Sequence, residues 1–122
     1  LSADSGTTAS WKAAPTEERI YTHAGILRIF IGVTRWYPLS DITISEIRAN
    51  VGDPSTVQDI LINIKKNGAI VITDLTIPQT TYRSVLDTTV IAMTTTDYIT
   101  VDIKQIGTGN AGQDLTVNFK YN

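Results

Sequence analysis

Hydrophobic and polar positions alternate with a period of two in several separate stretches of this chain, the pattern of half-buried β-strands rather than of helices. The clearest stretch is the last. Leu115, Val117, Phe119 and Tyr121 alternate with Asp114, Thr116, Asn118 and Lys120, which predicts an antiparallel strand over 114–121 with one wet face. Over 97–106, Ile99, Val101 and Ile103 alternate with Thr100, Asp102 and Lys104. Over 59–66, Ile60, Ile62 and Ile64 alternate with Leu61, Asn63 and Lys65. Apolar groups on both faces there suit a strand in the middle of a sheet. Asn67-Gly68 follows directly, and Ile70 and Ile72 run back. Asn-Gly between two strand-like runs predicts a type I′ turn, which needs positive φ at both central residues.

Segment 41–51 changes phase. Ile42 and Ile44 alternate, then the apolar positions move to Ile47, Ala49 and Val51. Such a slip reads as a β-bulge near Ser45–Glu46. A short helix competes, because Ile44, Ile47 and Val51 also fit helical spacing. A first strand is expected over 20–31, with Gly32 as a bulge or bend. A short strand over 34–37 is stopped by Pro38, and another strand is expected over 88–94. Gly52 to Ser55 reads as a turn, 79–84 as a polar stretch, and 107–113 as a glycine-rich hairpin loop. Seven or eight short strands, with turn signals about every ten residues, predict an all-β, antiparallel, jelly-roll-like β-sandwich. Residues 1–18 are rich in Ser, Thr, Ala and Gly and show no apolar period. They read as an extended N-terminal arm, with the sandwich domain at 19–122.

Composition agrees. There are 17 Ile, 8 Val and 19 Thr, so 44 of 122 residues are β-branched. Such side chains are stiff at χ1 and sit well on a pleated surface. The length suits one domain with one core. The lack of cysteine excludes disulfides and thiolate chemistry and fits a reducing cytoplasm. A net charge of −2 gives no basic footprint, so nucleic acid is not an expected partner. No apolar run approaches the roughly 20 residues that span a bilayer. The opening at Leu1, with neither a basic nor an apolar region, does not read as a signal peptide. It suggests a chain cut from a longer polypeptide or processed.

Candidate chemistry is sparse. Gly107-Thr108-Gly109-Asn110-Ala111-Gly112 spells GxGxxG, but a dinucleotide site needs a helix after those glycines and an acid about 20 residues on. Ten residues remain, and they alternate as a strand, so no cofactor is expected. His23 is the only histidine, and nothing beside it resembles a nucleophile elbow. No catalytic residue is expected. His23 reads as a half-buried strand residue or a subunit contact. The aspartates show no DxDxDG spacing. Calcium between loops stays open as a minor reading, and no metal ligands are assigned. Aromatic rings that stack on sugars point to Trp36, Tyr37 and Tyr82 as a candidate glycan or partner site. Core packing or a subunit interface is the stronger alternative for them. Arg28, Arg35, Arg48 and Arg83 read as solvated faces or interchain ion pairs. A lone Trp in a polar arm docks somewhere, so Trp11 joins His23 as a candidate oligomer contact.

Two parts of the chain show a resemblance. The opening, Leu1 to Ala14 (LSADSGTTASWKAA), resembles a connector found in tail-fibre and other virion proteins of tailed bacteriophages. Gly32 to Pro38, Ile42 to Gly52, Ile62 to Gly68, Tyr98 to Gly107 and Gly112 to Tyr121 resemble a small β domain that recurs in phage structural proteins. The resemblance implies a non-catalytic, jelly-roll-like domain of the virion, assembled in the host cytoplasm. It further implies a homotrimer in contact with other virion proteins. The expected function is a fibre or spike tip that attaches to the host surface, with a glycan or protein as receptor. Capsid decoration through protein–protein contacts is the alternative, and a carbohydrate-binding module of an enzyme the weaker one.

Overall fold

The fold, a computed structural model, is described for residues 16–122. Trp11, and with it most of the expected arm, lies outside the described residues. Seven strands form: β1 (Glu17–Ile26), β2 (Ile42–Asn50), β3 (Ile60–Lys66), β4 (Ala69–Ile77), β5 (Ile91–Met93), β6 (Ile99–Gln105) and β7 (Gln113–Tyr121). β1 therefore takes in Glu17 and Glu18, which the sequence places in the arm. Two antiparallel sheets result, ordered β1-β7-β2-β5 and β4-β3-β6. The protein is an all-β sandwich, as its alternating patterns predict.

The inward faces of both sheets make one core. Ile60, Ile62 and Ile64 of β3 are buried with Leu115, Val117 and Phe119 of β7. Burying each such side chain contributes on the order of 1.5–3 kcal/mol. β3 lies between β4 and β6, which explains apolar residues on both its faces. β7 lies between β1 and β2, so Thr116, Asn118 and Lys120 on its outer face are only half-exposed. The bulge expected near Ser45–Glu46 is present: the register of β2 on β7 shifts between Ile44 and Glu46. That shift lets Ile44 and Ile47 both face the core, and it removes the competing helix.

The Asn67-Gly68 turn is also as predicted, with φ of 54° and 85°. A methyl group at Gly68 would meet only the Tyr98 hydroxyl, at 3.9 Å. Gly68→Ala should therefore cost conformational energy alone, about 1 kcal/mol, read as a lower urea midpoint. A cost near zero would contradict the turn.

Elsewhere the tertiary structure redraws the expected elements. The strand expected over 20–31 is two pieces. β1 ends at Ile26, after Gly25 with φ of 88°. The chain then crosses to the opposite sheet, where Phe30 and Trp36 pair with Ile103 and Ile99 of β6. Segment 27–37 thus caps the free edge of β6 at two points, and the strand expected over 34–37 reduces to the Trp36 bridge. Between these points, a Cβ on Gly32 would fall on the Val101 carbonyl oxygen. This glycine serves the close approach of two backbones, not a bulge.

The strand expected over 88–94 shrinks to β5. Tyr82 to Asp87, part of it read as a polar stretch, borders the rest of β2 instead. Val51 N–H donates to Tyr82 O and Ser84 N–H to Ala49 O, both at 2.8 Å, while Ile47 and Asp87 exchange bonds. Backbone groups on an edge need partners whatever the polarity of the chain that supplies them.

The loop 107–113 does not close a hairpin, because β6 and β7 belong to different sheets. It is tied to 53–56 instead: Asn110 N–H donates to Thr56 Oγ1 at 2.6 Å, and its amide reaches Pro54 O at 2.8 Å. With segment 27–37 counted as an edge, every connection except β3–β4 crosses from one sheet to the other.

Candidate functional site

The three aromatics expected to form a site lie apart. Trp36 is half-buried and packs on Phe119 and Tyr121, with ring centroids 6.0 and 5.5 Å away, under the Arg19 guanidinium. It is part of the core margin. Tyr37 is exposed and sits 5.5 Å from Tyr98 with the rings tilted at 50°. Arg35 lies 4.2 Å from the Tyr98 ring and donates to the Tyr37 hydroxyl at 3.1 Å. That hydrogen bond raises the Arg35 pKa above its ordinary value. The cation and both rings already serve each other. Tyr82 belongs to the other sheet, on the segment bordering β2.

His23 is half-buried in β1 and stacks on Phe30 with centroids 5.0 Å apart. It joins β1 to the edge segment within the chain. Among the described residues, no three His, Cys, Asp or Glu side chains converge as a metal site would require.

The surroundings of Tyr82 are different. Period two places Arg48 and Asn50 on the outer face of β2, and Thr116 and Asn118 on the outer face of β7. The register makes Arg48 the direct partner of Asn118, and Asn50 the partner of Thr116. Directly opposed residues have Cβ atoms about 5 Å apart. Ile20 of β1 flanks Asn118, and Arg83 bridges to Asn50 on the other side. Arg48, Asn50, Val51, Tyr82, Arg83 and Asn118 line a depression of about 510 Å³.

Among the described residues, two atoms of this lining's side chains are buried without a hydrogen-bond partner: Arg48 Nε and Asn118 Oδ1. One is a donor and the other an acceptor. An unsatisfied buried polar group costs about 1–3 kcal/mol, so the two atoms are a cost carried by this face of the sheet, closed to solvent as they stand. Tyr82, with 58% of its surface exposed, supplies a ring at the same depression.

Sequence reasoning names Tyr82 but groups Arg48 with solvated arginines and passes over Asn118. Their one local signal is a polar position at the middle of an alternating strand. Compared with known proteins, the chain matches no family model, no curated protein and no solved structure.

Proposed function

We propose that this chain is a non-catalytic structural domain of a tailed-bacteriophage virion. In this reading it forms the tip of a fibre or spike and attaches to a host-surface glycan through the depression beside Tyr82. The observation that carries the glycan part is the exposed Tyr82 ring beside a depression lined by the polar residues Arg48, Asn50, Arg83 and Asn118. Sugars offer hydroxyls that donate and accept, and C–H faces that stack on aromatics. The repeated crossing between sheets supports a jelly-roll topology, in keeping with the resemblance of the strands to the phage domain. A row of exposed Ile29, Ile31 and Val33 on the edge segment supports a homotrimer that buries it.

The labelled chain should adsorb to cells of the host strain. Arg48→Ala should weaken adsorption about ten-fold or more, the effect of losing a charged hydrogen bond, and Tyr82→Ala should weaken it too. Failure of the folded chain to adsorb to any strain would rule the reading out. So would full adsorption by both variants.

The exposed row 29–33 also favours a second reading, capsid decoration through protein–protein contacts. Under it, binding to expanded capsids is lost in Ile31→Asp and kept in Tyr82→Ala.

A further inference from the structure

We infer that Asn67 is a modification site, where deamidation through the Gly68 nitrogen is restrained by a side-chain clamp on loop 94–98 and, once complete, undoes that clamp. The site sits on the β4-β3-β6 sheet, apart from the depression beside Tyr82 on the other sheet, and does not depend on attachment.

Asn67 is the one asparagine of the chain followed by glycine. In deamidation the Gly68 nitrogen attacks Asn67 Cγ. A bond forms between them, the Cγ–Nδ2 bond breaks, and the amide leaves as ammonia, with a proton in place of the one lost from Gly68 N–H. Water then opens the cyclic imide. Cleavage at Cγ leaves aspartate. Cleavage at the main-chain carbonyl leaves isoaspartate, with one more carbon in the backbone of the tight turn between Lys66 and Ala69. Either product carries a new negative charge at neutral pH. Two local features favour the attack. Asn67 and Gly68 are both exposed to the water that the reaction consumes. Gly68 has no side chain to screen its nitrogen, and a Cβ there would meet only the Tyr98 hydroxyl, at 3.9 Å.

The clamp opposes it. Asn67 Nδ2 donates to Asp97 Oδ1 at 2.8 Å, and Asn67 Oδ1 accepts from Tyr98 N–H at 3.0 Å. Both polar atoms of the amide are engaged by another segment, so Cγ stays aimed across at residues 97–98. Attack requires the amide to swing back to its own main chain, which breaks both bonds. The bond to Asp97 is the stronger of the two, because its acceptor is charged. Hydrogen bonds from Thr94 N–H and from Asn67 hold the Asp97 carboxyl below its ordinary range. After deamidation the same pair is two carboxylates at hydrogen-bond spacing with no proton between them, and like charges so close repel. Lys66 Nζ, 3.7 Å from Asp97 Oδ2, offsets part of that repulsion. The 94–97 turn keeps its own bond, from Thr94 N–H to Asp97 Oδ2 at 2.8 Å. What it loses is the tie to the Asn67 side chain.

The test incubates the folded chain, the folded Asp97→Ala variant and the urea-unfolded chain at mildly alkaline pH. Peptide mass spectrometry after acidic digestion reads the replacement of NH₂ by OH at Asn67. The folded chain should convert at a measurable rate, about ten-fold or more below the unfolded one. Asp97→Ala should convert about five-fold or more faster than the folded wild type, with hydrogen exchange in β3 unchanged. Asn67→Asp, which mimics the product, should speed hydrogen exchange at Tyr98 N–H about three-fold or more. Conversion confined to the unfolded chain would overturn the site. Equal rates in the folded and unfolded chains would overturn the clamp. So would a gain in Asp97→Ala that is absent or matched by faster exchange in β3. Unchanged exchange at Tyr98 in Asn67→Asp would overturn the release.

Discussion

Asp102→Ala is expected to lower the folding stability by about 2–4 kcal/mol. Asp102 is buried on β6 and uses both oxygens. Oδ1 accepts from Gly32 N–H at 2.9 Å, and Oδ2 pairs with Lys65 Nζ at 2.8 Å. Alanine leaves the Gly32 N–H without that partner and removes the counter-ion of Lys65. Lys65 keeps 21% of its side chain exposed, so it swings toward water and holds the cost below that of a fully buried pair. The damage should centre on segment 27–37, which touches β6 at Phe30 and Trp36 and is tied at Gly32 between them. Asp102→Asn keeps an acceptor for Gly32 and should cost less. Urea unfolding of the two variants measures this, with hydrogen exchange at Phe30 and Trp36 locating it. A change under about 0.5 kcal/mol in Asp102→Ala, the scatter of ordinary surface substitutions, would show that the contact does not hold the edge.

Gly107→Ala should cost about 3 kcal/mol. A Cβ at this position would fall on the Asn110 carbonyl oxygen and come within 2.8 Å of both Ser55 Cβ and Thr56 O. Two of the three obstacles are backbone, and Ser55 is fully buried, so none can swing aside. The loop must lift off 53–56, losing the bonds from Asn110 to Thr56 and Pro54. Gly109→Ala is the control. Its Cβ would meet Thr56 Oγ1 and Val57 Cγ2, ends of side chains; turning Thr56 aside gives up the bond from Asn110 N–H but shifts no backbone, so a smaller loss is expected. Equal thermal shifts for the two variants would show that the loop yields as a whole. Two glycines of the GxGxxG letters, Gly107 and Gly109, are thus accounted for by close packing against residues 55–57.

Several features could be read from the chain because their causes are local. The Ser45–Glu46 bulge shows as a slip in alternation between Ile44 and Ile47. The Asn67-Gly68 turn shows because few residue pairs take positive φ twice. β7 shows because its core face repeats every second residue. The run 26–31 misled because it is apolar without being core. Ile26, Ile29 and Ile31 are exposed, and only Leu27 and Phe30 turn inward. Composition cannot separate a strand that fills the core from an edge that carries apolar groups outward.

The candidate site was legible in one residue of its set. Tyr82 stands out as an aromatic in a polar stretch. Arg48 and Asn118 do not, since each is an ordinary polar residue on the wet side of a strand. What the amino-acid order determined by itself was the period of each strand, the turn chemistry and the face each side chain takes. Which strands became neighbours was decided by the burial of all those faces in one core. That choice set β2 beside β7 and brought Arg48 opposite Asn118, where among the described residues a donor and an acceptor are buried without partners.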